Sequence, residues 1–210
     1  MSHRVHPKAF RIREMKDWDS RGFYEKNMPK YLEEDLKIRS FLETKIKLAG
    51  IAKLEIERFQ DKMTIIISTS RPGLIIGRGG EGIEKLEKEL QKLLFEKKQL
   101  KIDVQTIKDP WSSAPLTAQL IAQRIEKRTP YKRALKEAIS KIMANKTVKG
   151  TKVQVSGRLD GVEMARRQWL KEGCLPRQTL RSEIDYAEER ALCAYGIIGI
   201  KVWIYKGQKL

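Results

Sequence analysis

Four consecutive residues, Gly77-Arg78-Gly79-Gly80, sit inside the stretch PGLIIGRGGEGIEKLEKEL at 72–90 and are the best suited of any in the chain to hold a ligand. Glycines accept positive φ and carry no Cβ, so a backbone rich in them can lie flat against something bulky. The amphipathic helix expected next would aim unpaired N–H groups and its positive end at the turn. Arg78 adds a mobile cation, and a phosphodiester backbone fits such a turn. Gly77, Gly79 and Gly82 also spell G-x-G-x-x-G, which marks a dinucleotide site when it follows a parallel strand and opens the helix of a βαβ unit. The context opposes that reading. The preceding segments look like a hairpin, Pro72 precedes only three large apolar residues, and Asp103 falls in mid-strand. A glycine-rich corner between two helices, with no ligand, is the plain alternative.

A second set of candidates is cationic. Lys132, Arg133 and Lys136 fall on one side of a predicted helix, beside the apolar face of Leu135, Ala138, Ile139 and Ile142, with Glu137 partly offsetting them. Three cations on a rigid face could grip a strand backbone without reading its bases; an ordinary solvated helix face is the alternative. Arg166 and Arg167 stand near Trp169, a pairing suited to phosphate forks and base stacking. The ring of Trp169 is read as core. Glu183, Asp185, Glu188 and Glu189 cluster, but next to so much basic surface they are expected to form ion pairs. No P-loop or acid–base histidine is found, so no enzyme and no cofactor is expected. His3, His6, Cys174 and Cys193 could form a zinc site only if the N-terminus reached the far end of the chain, and no metal is expected.

The chain of 210 residues carries 44 Lys+Arg against 27 Asp+Glu, a formal charge of +17. Such a surplus points to a polyanionic partner. It is unevenly spread: residues 31–109 hold 16 basic and 14 acidic side chains, residues 110–210 hold 20 and 9, and residues 1–30 hold 8 and 4. The middle therefore reads as a module that binds by shape, and the two flanks as electrostatic footprints. No apolar run is long enough to span a membrane, and no apolar signal core opens the chain, so a cytoplasmic protein with reduced thiols is expected.

The elements that must position these residues follow from periodicity. Residues 35–49 place Ile38, Phe41, Leu42 and Ala49 near one helical face, and Gly50 stops the helix. Residues 52–59 and 62–69 alternate, joined by Gln60-Asp61, as an antiparallel hairpin. Pro72 opens a short helix, the glycine turn follows, and Ile83, Leu86, Leu90, Leu93 and Leu94 mark a helix near 81–96. Residues 100–107 alternate again. The order is α-β-β-α-α-β. After Asp109-Pro110 come helices over 114–128 and 130–146, strand character from 151, an ambiguous stretch at 181–195, and a final buried strand at 197–205. Three segments result: a basic N-terminal arm (1–30), a first α+β domain (31–109) and a second α+β domain (110–210) with two helices packed on a mostly antiparallel sheet.

The first α+β pattern, with the glycine loop between its middle helices, is similar to a type II KH domain, whose GXXG loop clamps single-stranded nucleic acid. More extensive motifs run along the whole chain in one order: Arg4-Val5-His6-Pro7, RPGLIIGRGGEGIEKL at 71–86, VSGRLDGVEMAR at 155–166, EGCLPRQTLRSEIDY at 172–186 and YGIIGIKVWIYKG at 195–207. On these the chain resembles the bacterial small-ribosomal-subunit protein S-three family. The resemblance implies a structural constituent of the subunit head that binds ribosomal RNA and lines the channel through which messenger RNA enters. It also implies contacts with the neighbouring head proteins numbered ten and fourteen. It assigns messenger contact to Lys132, Arg133 and Lys136. Candidate ribosomal-RNA anchors are Lys8, Arg11, Arg158, Arg166 and Arg167. The family usually has two basic residues inside the glycine loop, whereas here they are Arg78 and Gly79, so one phosphate-facing charge is missing. Lys132 stands where arginine is common, which loses a planar fork. A free KH-type regulator or RNA chaperone, acting off the ribosome, is the alternative with the same loop and charge.

Overall fold

The computed structural model describes residues 5–11, 17–22, 27–46, 49–59, 62–94 and 99–208. The Gln60-Asp61 link, His3 and Arg4 lie outside them. The chain divides into two compact units, residues 16–108 and residues 109–210 together with 1–15. The described elements run from a single-turn helix, α1 (Pro7–Phe10), through β1 (Ser20–Gly22), α2 (Met28–Lys45), β2 (Ile51–Arg58) and β3 (Lys62–Thr69). They continue with α3 (Pro72–Ile76), α4 (Glu81–Gln91) and β4 (Gln99–Thr106). The rest is α5 (Ala114–Glu126), α6 (Tyr131–Met143), β5 (Gly150–Gly157), β6 (Arg166–Gly173), β7 (Ser182–Cys193) and β8 (Gly196–Gln208).

In the first unit the period-2 pattern sets the sheet. Leu54 and Ile56 of β2 face Ile67 and Ile65 of antiparallel β3, and Ile65 lies opposite Ile102 of parallel β4. A parallel pair needs a crossover, which α3, the glycine turn and α4 supply. The core joins Ile38 and Leu42 of α2, Ile75, Leu90 and the inward residues of three strands. Each fully buried isoleucine there contributes about 1.5–3 kcal/mol. The expected α-β-β-α-α-β order is present. Two features go beyond it: α2 begins at Met28, with Pro29 in its first turn, and the short β1 pairs parallel to β2. β2 also carries an arginine in register with its apolar residues. Arg58 is buried and donates to Glu34 Oε2 at 2.6 Å and to Asp35 Oδ1 at 2.5 and 3.0 Å. The other face of this sheet is polar and paired: Arg21 meets Asp17, Glu55 and Glu57, and Lys53 meets Asp19 and Glu55.

In the second unit α5 and α6 cover one face of an antiparallel sheet of order β6-β5-β8-β7. Ile121 and Ile125 of α5 and Leu135, Ala138, Ile139 and Ile142 of α6 pack on Val153, Val155, Ile200, Val202 and Ile204. The ambiguous stretch resolves as strand β7. Its helix-forming run Ala187–Leu192 pairs residue by residue with β8, so tertiary pairing overrides a local preference. The core assignment of Trp169 is corrected. It lies opposite Gln154 on the edge strand β6, whose residues are all exposed, and is itself 53% exposed.

Candidate nucleic-acid interface

The glycine loop is built as the sequence requires. α3 ends at Gly77 (φ 71°), and a 3-10 turn over Arg78–Gly80 leads into α4, with Gly79 at φ 62° and Gly80 at φ 88°. Gly82 explains how tightly the corner closes: a Cβ there would sit 2.4 Å from the Ile75 carbonyl oxygen. No side chain caps α4, although the Glu81 amide already donates to the Arg78 carbonyl. Arg78 is exposed, and so are Leu74 and Ile76 of α3. Glu81 and Glu84 occupy the first turn of α4, however, and answer much of its positive end themselves. The loop thus offers amides, one cation and two competing carboxylates.

The cations of α6 are placed differently. Alternate turns bury Ala134, Leu135, Ala138 and Ile139 and leave Lys132, Arg133 and Lys136 exposed. Arg133 Nε donates to Glu137 Oε1 at 2.8 Å, and Arg124 of α5 donates to Glu137 Oε2 at 2.5 Å. The hydrogen bond from Arg133, with Arg124 adding to it, holds the Glu137 carboxyl below its usual range. Among the described residues neither Lys132 nor Lys136 pairs with a carboxylate. The face therefore presents two unengaged lysines and an arginine already braced by Glu137. Arg124 joins the group from thirteen residues upstream of Glu137, and only the packing of α5 against α6 brings it there.

The five candidate anchors separate. Lys8 of α1 lies 3.5 Å from Asp185 and stays accessible. Arg158, exposed, donates to the Val162 carbonyl and lies over the Tyr195 ring. Arg166 pairs in register with Gly157 and Arg167 with Ser156, so strand alternation sends them to opposite faces of the sheet. Arg11 is a correction. It is only 8% exposed, and its guanidinium donates to the carbonyls of Pro7, Pro176, Arg177 and Thr179 and to Ser182 Oγ. Five acceptors already surround it, so it ties the N-terminal segment to the loop before β7 and leaves no donor face for phosphate.

Of the described histidines and cysteines, His6 packs edge-on against Tyr186, Cys174 is exposed and Cys193 is half-buried. Among the described residues no three His, Cys, Asp or Glu side chains gather as metal ligands would. No helix among them is long and apolar enough to cross a membrane.

Comparison with known proteins accounts for both units. Residues 37–112 match the KH domain family, and residues 121–204 match the family described as ribosomal protein S3, C-terminal domain. The small ribosomal subunit protein uS3 of Kosmotoga olearia is 49% identical over 208 residues, covering 99% of this chain and 95% of that protein. That of Caldicellulosiruptor saccharolyticus is 46% identical over 211 residues, covering 100% of this chain and 94% of the relative. The small ribosomal subunit protein uS3c of Pyropia yezoensis is 45% identical, covering 100% and 91%. With both units matched and identity of this degree along the full chain, the protein belongs to the small ribosomal subunit protein uS3 family.

Proposed function

We propose that this protein is a structural, non-enzymatic constituent of the small ribosomal subunit and that it binds ribosomal RNA mainly through backbone phosphates. The observation that carries the reading is the concentration of exposed cations on an α+β scaffold that is related along its full length to ribosomal proteins. Lys8, Arg158, Arg166 and Arg167 are the candidate anchors; Arg11 serves the fold. Lys132, Arg133 and Lys136 track incoming messenger RNA at the mouth of its channel, because an exposed lysine-rich helix face holds a sliding backbone without fixing a base sequence. The glycine loop, Gly77 to Gly80, adds a weaker contact. An exposed apolar corner supports docking of neighbouring head proteins such as those numbered ten and fourteen. It is formed by Leu192, Tyr195 and Ile197 with Val162 nearby.

Sedimentation of the endogenous protein through a sucrose gradient after a high-salt wash tests the assignment. Stoichiometric retention with small subunits is expected. Release into the light fractions would instead identify a free cytoplasmic RNA-binding regulator. Replacing Lys132, Arg133 and Lys136 together with alanine tests the channel role: translation of structured messages should suffer more than subunit assembly. Loss of assembly alone would make the face architectural.

A further inference from the structure

The face of the second sheet turned away from α5 and α6 gathers the anchor Arg167 with aromatic rings and further cations. Register places Arg167, Trp169 and Lys171 of β6, Lys152 of β5 and Lys201 and Trp203 of β8 on that face. Arg190 of β7 adds a further cation, and Glu188 is the one carboxylate in the same register rows. Glu188 is already committed to Lys201 at 2.8 Å and to the Tyr186 hydroxyl. The Lys152 ammonium lies 4.8 Å from the Trp169 ring centre and 5.2 Å from that of Trp203. A cation wedged between two indoles fixes the Trp169 ring while leaving it 53% exposed. β6 is the sheet edge, so no strand flanks that ring on its outer side.

We infer that this open face binds a single-stranded segment of RNA, with an unpaired base stacked on the Trp169 indole and the phosphates on either side held by Arg167 and Lys171. The inference rests on the proposed RNA-binding function and gives it a defined second site. Arg167 and Lys171 stand two residues to either side of Trp169 on the same face, about 7 Å away along the strand. They therefore bracket one stacked nucleotide. The charge selects the occupant: five cations against one committed carboxylate suit a polyanion, whereas an apolar peptide would bury Arg167 and Lys171 without countercharge. The strand is single because a paired base has no open ring face to offer.

The test uses the full chain and an unstructured oligoadenosine RNA with 2-aminopurine at its centre. Affinity is read by anisotropy across a salt series, and stacking by 2-aminopurine fluorescence. Trp169→Ala should weaken binding by roughly tenfold and remove the stacking signal, with the salt slope unchanged. Trp169→Phe should keep most of both. Arg167→Ala should lower the salt slope by about one unit and keep the stacking signal. Wild-type affinity and signal in Trp169→Ala, in a protein that still binds RNA with a steep salt slope, would overturn the stacking site and leave the general function standing. Failure of the wild type to bind RNA at all would overturn both. In assembled subunits, ultraviolet crosslinking of the Trp169 peptide to a neighbouring protein and not to a nucleotide would show a protein on this face and would also overturn the inference.

Discussion

The two units share a plan, a four-stranded sheet with helices on one face, yet they handle charge in opposite ways. Residues 16–108 hold 20 Lys+Arg against 16 Asp+Glu; the rest of the chain holds 24 against 11. The open face of the first sheet neutralises itself, with Arg21 and Lys53 answered by Asp17, Asp19, Glu55 and Glu57. In the register rows around Trp169 on the open face of the second, Glu188 is the one carboxylate among the described residues. The glycine loop repeats the pattern, since Arg78 is followed closely by Glu81 and Glu84, while among the described residues Lys132 and Lys136 pair with no carboxylate. A backbone loop binds by shape and tolerates local neutrality. A cationic surface binds by counterion release and does not.

The largest expected effect tests that division. Raising monovalent salt from about 50 to 200 mM should weaken RNA binding by roughly 10³–10⁵-fold if six to ten phosphates are neutralised. Replacing Lys132 and Lys136 by alanine should lower the slope of the log–log plot by about two units, and Arg78→Ala by at most one. An equal loss from Arg78→Ala alone would erase the contrast between the units. Next comes stability. Arg58→Ala should destabilise the first unit by about 3–5 kcal/mol in chemical denaturation, because it removes the guanidinium that answers the buried Glu34 and Asp35 carboxylates. A change under 1 kcal/mol would mean that water reaches the cluster.

Arg11→Ala should cost about 1–3 kcal/mol and raise amide exchange over 176–182, with the RNA salt slope unchanged. A slope reduced by one unit would return Arg11 to the RNA-binding set. The smallest effect concerns Glu137. Glu137→Gln should release Arg133 and tighten RNA binding by roughly two- to threefold. Because its carboxyl is held below the ordinary value of 4.5, its ion pairing is complete above that value. It is lost only as the pH falls through the lower folded value. Acidification in that window should therefore tighten RNA binding more steeply in the wild type than in Glu137→Gln. An identical pH profile in both would show that the pair does not restrain Arg133.

Much of the fold was legible because its signals are local. Period-2 alternation in β2 and β3 and the glycines at 77–80 state their conformations without reference to the rest of the chain. The cations of α6 follow from helical spacing alone. Two wrong assignments, one silent position and one ambiguous stretch share a different cause. Arg11 looks from its neighbours like one more basic residue in an arm; its role is decided by carbonyls 165 to 168 residues away. Arg58 sits in register with Leu54 and Ile56, a signal in plain view, but its carboxylate partners lie on another element. Residue type alone assigns Trp169 to the core, because large aromatics are usually highly buried. Its exposure follows from β6 being the sheet edge, which strand order decides and local sequence does not. The run 187–192 favours helix until β8 pairs with it.

By itself the sequence determined the two α+β patterns, the glycine loop, the excess of positive charge and its skew towards the second half, since each depends on residue type and near-neighbour spacing. Only the tertiary structure decided which cations stay exposed and which hold the protein together. That choice depends on burial and on partners distant in the chain, and a guanidinium surrounded by carbonyls has the same letter in the sequence as one facing solvent.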